Sequence, residues 1–231
     1  MMVLKVGGSV AGIAELGELD DTIVVHGAGP QITAAMAREG LTARFVRGRR
    51  VTDANALPVV REALLEVNRE LCAAIGSRAV GLVGDEIGLR ATPVPELGHV
   101  GAPLPCSPQA ILDALAAGLV PVVAPIAEGP LNVNADEAAA ALAVGLGAER
   151  IVFHTDVPGV VLPRIEADEA ERLLAEDTFE GGIVPKLRAA VVAARGGVPA
   201  AIGMTEVVVS RRLDGGDQRA EVSALPAPER V

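Results

Sequence analysis

Aromatic residues are almost missing from this chain of 231 residues, which has three Phe and neither Trp nor Tyr. Half of its residues are nonetheless hydrophobic, so the core must be built from Val, Leu, Ile and Ala. A core of that kind is typical of buried parallel strands covered by Ala-rich helices. The scarcity of stacking side chains and a formal net charge of −10 argue against a nucleic-acid partner. The length fits one large domain or two closely joined lobes.

Cysteine and long apolar runs are also scarce. The two cysteines, Cys72 and Cys106, belong to no CxxC pair or Cys/His cluster, which argues against a disulfide framework or a zinc site. Both are expected to be reduced, buried thiols. The most apolar run, ILDALAAGLVPVVAPIA, is interrupted by Asp113, Gly118 and Pro121, and the N-terminus has no signal-peptide pattern. We therefore predict no membrane partner and a cytoplasmic location.

Short β-branched runs alternate with segments rich in Ala, Leu, Glu and Arg. The runs with the character of strands are MVLKV, TIVVH, AVGLV, VPVVA, RIVFH and PAAIG. This alternation predicts an α/β sheet with helices on both faces. The longest helix is predicted over about residues 53–76, with Thr52 or Asp53 as its N-cap and a late start or a kink at Pro58. Residues 86–105, rich in Pro and Gly, predict a β-hairpin or an extended excursion over the sheet edge.

Three glycine-rich turns follow strands: KVGGSV at 5–10, HGAGPQ at 26–31 and EGGIVPK at 180–186. In an α/β sheet, such turns let backbone N–H groups reach an anion at a helix N-terminus, although glycine in any one of them can simply permit a tight turn. A Walker-type phosphate loop is excluded because GxxxxGK[ST] does not occur in the chain. The second turn lacks the third glycine of a dinucleotide-binding fingerprint.

Lysine is rarer than the size of the chain suggests. There are two, Lys5 and Lys186, against eighteen Arg, and each lies beside one of the glycine-rich turns. A lysine ammonium is a mobile point charge suited to phosphate, whereas Arg presents a rigid fork. We interpret the two lysines as candidate phosphate-binding groups. An ordinary surface lysine is the alternative at either position.

Polar residues precede one Ala-rich segment, in LNVNADEAAAALAVGLGA. Asn132, Asn134 and Asp136 stand where helix caps are common, but an internal Asp136 would also orient two lysines that otherwise repel each other. In GRRVTD, Arg50 is a candidate carboxylate clamp at the start of the long helix. Arg49 is expected to be its solvated neighbour.

Taken together and in order, these motifs resemble the amino acid kinase family: KVGGS, VVHGAGPQI, GRRVTD, ELGHVG, LNVNADEAA, TDVPGV and GGIVPK. The resemblance spans about residues 2–205, and LGHVG and NVNAD point to the branch that acts on N-acetyl-L-glutamate. It implies a three-layer αβα sandwich with a mainly parallel open sheet. It also implies that residues 1–149 form a lobe that binds the amino-acid substrate and carries a dimer interface. Residues 150–231 would form the lobe that binds ATP, with a frayed tail from about residue 212.

The reaction implied by the resemblance is the ATP-dependent phosphorylation of the side-chain carboxylate of N-acetyl-L-glutamate in arginine biosynthesis, with Mg²⁺ carried by the nucleotide. A carboxylate with a pKa of about 4.3 is already ionised at neutral pH, so no catalytic base is required. The transfer needs charge neutralisation and alignment instead. Because the first strand begins immediately after Met1, the resemblance implies a homodimer insensitive to arginine rather than an arginine-inhibited hexamer.

The same resemblance assigns roles to individual residues. Those implied in catalysis are Lys5, Lys186 and Asp136. The lysines stabilise the transferring phosphoryl group, and the aspartate organises both lysines. Four residues are implied in substrate binding. Gly27 and Ala28 offer backbone N–H groups to the substrate and the phosphate, and the side chains of Arg50 and Asn132 hold the α-carboxylate of the substrate. Those implied in nucleotide binding are Gly8, Asp156, Val157, Pro158, Gly159, Val160, Val161, Thr178, Phe179 and Glu180.

The chain departs from the usual family pattern in three places. Ala28 replaces a glycine, only AGIAELGELDD joins GGSV to TIVVH where a longer helix is usual, and the carboxyl end lacks the closing strand pattern. Two alternatives therefore stay open beside the leading hypothesis. One is a kinase for a related carboxylate, such as carrier-linked aminoadipate, and the other is a nucleotide-binding regulatory homologue without turnover.

Overall fold

Strands and helices alternate along most of the chain, as the sequence pattern predicts. The computed structural model describes residues 1–8, 19–154, 162–176, 178–179 and 181–209. In chain order, its elements are β1 (Met2–Val6), β2 (Thr22–His26), α1 (Gly29–Arg38), β3 (Phe45–Val46), β4 (Arg49–Arg50), α2 (Ala56–Ile75), β5 (Ala79–Val83), α3 (Gly84–Ile87), β6 (Ala91–Pro93), β7 (Val100–Pro103), α4 (Gln109–Ala116), β8 (Val120–Ala124), β9 (Ile126–Ala127), β10 (Leu131–Val133), α5 (Ala135–Leu146), β11 (Arg150–Phe153), β12 (Arg164–Glu166), α6 (Ala167–Ala175), α7 (Ile183–Arg195), β13 (Ala200–Ile202) and β14 (Thr205–Val208).

The central sheet has eight strands in the order β12-β14-β13-β11-β1-β2-β8-β5. The strands from β13 to β5 are all parallel, and they are the six that the sequence predicts. β14 pairs antiparallel with β13, and β12 pairs parallel with β14. The predicted mainly parallel open sheet is therefore confirmed, with antiparallel pairing at one edge.

Two smaller sheets accompany the central one. The first has the order β6-β7-β10-β9, and the antiparallel pair of β6 and β7 confirms the hairpin predicted within residues 86–105. The second is the β3-β4 hairpin, in which Phe45 pairs with Arg50 and Val46 with Arg49. The sequence does not predict β3-β4, because strands of two residues are too short to show a period.

Alternate residues of the central strands face opposite layers of helices. Leu4 and Val24 pack in one apolar cluster with residues of α1 and α2, whereas Val3 and Val25 pack in a second cluster with residues of α5 and α7. Both clusters are almost entirely aliphatic, and Phe153 is the largest fully buried side chain. Helices cover both faces of the sheet, so the predicted three-layer αβα sandwich is confirmed.

The long helix α2 starts later than its first predicted cap. Asp53 accepts hydrogen bonds at its Oδ1 from the N–H groups of Asn55 at 3.0 Å and Ala56 at 2.9 Å, and the helix begins at Ala56. Pro58 consequently falls in the first turn, where a missing N–H costs no hydrogen bond. The late start is the correct one of the two predicted alternatives. The helix ends before Gly76, which has a φ of 94°, a conformation that glycine adopts without strain.

The described chain ends with β14, which lies between β13 and the edge strand β12 in the central sheet. The closing strand pattern that the sequence lacks at its carboxyl end is not tested, because the residues beyond 209 lie outside the described range. Most of the short connection after β1, the predicted nucleotide-binding residues 156–161 and Glu180, and the tail lie outside the described residues. None of the helices in the described ranges has the length and apolar character that a bilayer crossing requires.

Candidate active site

Three neighbouring parallel strands end beside one cavity. β1, β2 and β8 run in the same direction, so their carboxyl ends meet at one edge of the sheet, which is where α/β folds bind ligands. The cavity has a volume of about 190 Å³. Six of the predicted site residues line it, namely Lys5, Gly27, Ala28, Arg50, Asn132 and Asp136.

A buried carboxylate joins the two lysines of the chain. Oδ1 of Asp136 lies 3.0 Å from Nζ of Lys5 and 3.5 Å from Nζ of Lys186. Lys5 extends from β1 and Lys186 from the first turn of α7. Burial lowers the pKa of Lys5, and the positive charge of Lys186 lowers it further, against the opposing effect of Asp136. Two ammonium groups share one carboxylate, so the cluster carries excess positive charge suited to an anion.

Asn134 and Asp136, at the start of α5, have different roles. Oδ1 of Asn134 accepts hydrogen bonds from the N–H groups of Asp136 at 2.9 Å and Glu137 at 3.1 Å, so Asn134 is the N-cap. The capping interpretation is therefore correct for Asn134. The Asp136 carboxylate takes no part in the cap and binds the lysines instead.

Arg50 is a buried cation that has no carboxylate partner among the described residues. Its Nη2 donates to the Gly29 carbonyl at 3.0 Å and to Oγ1 of Thr33 at 2.8 Å, and its guanidinium lies 4.6 Å from the centre of the Phe45 ring. Burial lowers the pKa of Arg50. All of these partners are neutral, so the charge on Arg50 is uncompensated until a ligand brings a counter-charge. A carboxylate in the cavity would supply it.

Thr52 is a site residue that the sequence indicated only as a helix cap. Nδ2 of Asn132 donates to Oγ1 of Thr52 at 2.9 Å, and that hydroxyl donates to the Arg50 carbonyl at 2.9 Å. The threonine is fully buried and links the two residues predicted to hold the α-carboxylate. Its spacing of two from Arg50 is the signal that points to it, because residues i and i+2 of extended chain share a face.

The turn after β2 does not need a glycine at position 28. Ala28 has a φ of −149° and a ψ of 31°, outside the left-handed region, and it packs in the apolar cluster with α1. The alanine therefore adds no backbone strain. The N–H of Gly27 donates to the Val6 carbonyl at 3.0 Å. Within the described part of the chain, the N–H groups of this turn without an acceptor are those of Ala28 and Gly29.

Gly8 is the position where close packing does require glycine. A Cβ on Gly8 would lie 2.8 Å from the Gly27 carbonyl oxygen and 3.0 Å from Cα of Ala28. The side-chain amide of Gln31 also donates to the Gly8 carbonyl. The first glycine-rich turn thus packs directly on the second, with no room for a side chain between them.

His26 lies behind these turns in a buried polar network. Its Nε2 is 3.2 Å from Nδ2 of Asn68, and its Nδ1 is 3.2 Å from the Gly27 carbonyl oxygen. The Asn68 amide also donates to the Val122 carbonyl at 2.8 Å. Because an amide NH₂ can only donate, Nε2 must be the acceptor and Nδ1–H the donor. The ring is neutral in this arrangement, and burial lowers the pKa of His26 to about 4.

Comparison with known proteins places these residues in a family. The model of the amino acid kinase family matches residues 1–203. The chain belongs to that family. An acetylglutamate kinase of Roseiflexus sp. (strain RS-1) is 41% identical to this amino acid kinase, with 87% of each chain covered. One of Thermus thermophilus is 42% identical, with 94% of this chain and 95% of that protein covered.

Solved structures share the fold at lower sequence identity. The smu.665 protein of Streptococcus mutans UA159 matches with a TM-score of 0.77 at 24% identity, covering 90% of this chain and 98% of its own. Carbamate kinase from Giardia lamblia bound to AMP-PNP matches with a TM-score of 0.65 at 14% identity, with the same coverage of 90% and 98%. The αβα sandwich of this amino acid kinase is therefore a known fold.

The nucleotide-binding prediction for this amino acid kinase falls mainly on residues outside the described ranges. Within them, the N–H of Thr178 donates to the Leu173 carbonyl at 3.2 Å, and Phe179 packs against the apolar cluster that includes α7. Neither contact involves the cavity. The part of these residues in nucleotide binding stays a prediction.

Proposed function

We propose that this amino acid kinase is an acetylglutamate kinase, which transfers the γ-phosphoryl group of ATP to the side-chain carboxylate of N-acetyl-L-glutamate in arginine biosynthesis. One observation carries the proposal. The cavity is lined by Arg50, a buried cation without a carboxylate partner among the described residues, and by Lys5 and Asp136, and Asp136 also contacts Lys186. A dicarboxylate substrate can bind Arg50 with one carboxylate and face the lysine cluster with the other. The two relatives named above, which carry the name acetylglutamate kinase, support the same substrate.

In the proposed complex, the α-carboxylate binds Arg50, with Asn132 beside it. The side-chain carboxylate then faces the lysines. One of its oxygens attacks the γ-phosphorus of ATP, the bond from that phosphorus to the β-phosphate oxygen breaks, and ADP leaves. The carboxylate is already ionised, so the proton balance needs no base. The products are an acyl phosphate and ADP.

The protein contributes charge and alignment to this step. In phosphoryl transfer, negative charge is spread over the three equatorial oxygens of the transferring group, and preorganised cations and N–H donors stabilise it. Lys5 and Lys186 supply the cations, and Asp136 keeps them together despite their mutual repulsion. The N–H groups of Ala28 and Gly29, at the start of α1, supply donors where the helix dipole is positive.

Mg²⁺ bound to ATP would neutralise charge on the phosphates. The donor set fits that arrangement, because Asp136, the carboxylate that lines the cavity, already binds both lysines. Elsewhere in the described ranges, no group of three or more His, Cys, Asp and Glu side chains is positioned to hold a metal ion. The protein residues therefore position the phosphates that carry the ion.

The remaining assignments follow from the family pattern. ATP binds the lobe of residues 150–231, with residues 156–161 and 178–180 around the nucleotide and Gly8 at its phosphates. The lobe of residues 1–149 binds the amino-acid substrate and forms a homodimer in the cytoplasm. The packing of Gly8 on the Gly27 turn supports the placement of both turns at one phosphate site.

Hydroxylamine trapping tests the proposal, because acyl phosphates give hydroxamates. With ATP and N-acetyl-L-glutamate, we expect hydroxamate in proportion to ADP. N-acetylaspartate and free glutamate are the matched controls for chain length and for the acetyl group. A larger yield with a carrier-linked aminoadipate would make the chain a kinase for that carboxylate. If ATP raises the melting temperature but no acceptor yields ADP, the chain is a regulatory homologue.

A further inference from the structure

The β3-β4 hairpin that carries Arg50 is small and needs support from outside itself. It has two residue pairs, and isolated two-stranded hairpins are marginal in water. Its outer side chains, Phe45 and Val46, are exposed. The position of Arg50 over the cavity therefore depends on what the hairpin is attached to.

The attachment is the first turn of α5. Nε of Arg49 lies 3.1 Å from each carboxylate oxygen of Glu137, and Nη2 of Arg49 lies 2.9 Å from Oε2. Beside this bidentate pair, Nδ2 of Asn134 donates to the Gly48 carbonyl at 3.0 Å. The expectation that Arg49 is the solvated neighbour of Arg50 is therefore wrong, since its side chain is only 26% exposed and its Nε and Nη2 are bound in the ion pair.

Two pairs of consecutive residues, one on β4 and one on α5, each contact both the hairpin attachment and the active site. Arg49 and Arg50 are neighbours on a strand, so their side chains leave on opposite sides. Arg49 pairs with Glu137 of α5, whereas Arg50 donates to Gly29 and Thr33 of α1. Asp136 and Glu137 are neighbours on α5, and the first holds the lysines while the second holds Arg49. One helix end thus connects the substrate clamp with the phosphoryl-transfer cations.

We propose that Arg49 and Glu137 are positioning residues that set the distance between the Arg50 clamp and the lysine cluster, and thereby the alignment of the acceptor carboxylate. The inference rests on the proposed function. Both side chains of the pair keep about a quarter of their surface exposed and neither belongs to an apolar cluster, so we expect the pair to add little to global stability. Its loss therefore affects binding of the acceptor rather than folding or binding of ATP.

Steady-state kinetics of Arg49→Gln and Glu137→Gln separate these effects. In each variant we expect the KM for N-acetyl-L-glutamate to rise about tenfold, with the KM for ATP changed by less than about twofold and the melting temperature unchanged. The double variant should be no worse than either single one, and the exchange Arg49→Glu with Glu137→Arg should recover most of the affinity. The exchange also leaves the net charge near Asp136 unchanged. A recovery of affinity would therefore show that the single variants act through the position of the hairpin and not through a changed electrostatic field.

Arg195→Gln is the matched control, because Arg195 forms a bidentate pair with Glu171 at 2.8 and 2.7 Å in a different part of the fold. It should leave both KM values unchanged. Unchanged acceptor KM in both single variants, or equal rises for acceptor and ATP, would overturn the proposal. Hydrogen exchange of the hairpin amides gives a reading without turnover, and it should quicken in Arg49→Gln. If the wild-type protein has no kinase activity but exchange still quickens in Arg49→Gln, the proposed function is refuted, whereas the attachment of the hairpin to α5 is supported.

Discussion

Weak acid is expected to destabilise the fold through His26. The imidazole is fully buried, and its Nε2 accepts from Asn68 while Nδ1–H donates to the Gly27 carbonyl. A proton on Nε2 would replace an acceptor with a donor facing the Asn68 amide, and it would place a charge in an apolar layer. The folded protein therefore resists this proton, whereas the unfolded chain accepts it.

The size of the effect follows from the two pKa values. Burial lowers the pKa of His26 from its ordinary 6.5 to about 4. A depressed pKa gives stability that is complete above the unfolded value and is lost as pH falls from 6.5 toward 4. Between about pH 7.5 and about pH 5, linkage gives a loss of about 2 kcal/mol, out of about 3 kcal/mol for the full shift.

The assay is urea unfolding at those two pH values for the wild-type protein and for His26→Gln. The glutamine amide can accept from Asn68 but does not titrate, so other titrating groups cancel in the comparison. We expect the wild-type protein to lose about 2 kcal/mol more than the variant on acidification. Equal losses in the two proteins would refute the reasoning, since His26 would then titrate alike in the folded and unfolded states.

Three further substitutions test the site directly. Lys186→Met should lower kcat by about 10²–10³-fold, with an unchanged circular dichroism melt; near-normal turnover would remove Lys186 from the transfer step. Arg50→Met should raise the KM for N-acetyl-L-glutamate by about 10–100-fold, because charged hydrogen bonds contribute about 1.5–3 kcal/mol each, and an unchanged KM would contradict the clamp. Ala28→Gly should lower the free energy of unfolding in urea by about 1–2 kcal/mol, through a lost methyl and a freer unfolded chain. A gain in turnover in that variant would show that Ala28 does strain the turn.

The six central strands could be predicted because strands buried on both faces are continuous β-branched runs. β14 was not predicted, since a strand of four residues between β13 and β12 is defined by its partners and not by its own pattern. The β3-β4 hairpin was not predicted for a related reason. Its two strands have two residues each, and its position comes from α5, which lies far along the chain.

The lysine cluster could be predicted only in part. The scarcity of lysine and its place beside glycine turns marked Lys5 and Lys186, but their meeting at Asp136 follows from the topology, which the family resemblance supplied. Arg49 was misjudged because its partner Glu137 is 88 positions away, beyond any local pattern. The partner of the Gly27 N–H could not be predicted either. This N–H donates to the Val6 carbonyl, and that hydrogen bond depends on the pairing of β1 with β2.

The central claim is that a carboxylate oxygen of N-acetyl-L-glutamate attacks ATP in this cavity. It can be tested with substrate whose side-chain carboxylate is enriched in the heavy oxygen isotope. After turnover and cleavage of the product by hydroxylamine, phosphorus NMR should find one heavy oxygen in the released phosphate, because the bridging oxygen leaves with phosphorus. Phosphate without the label would mean that water is the nucleophile, and would contradict the account.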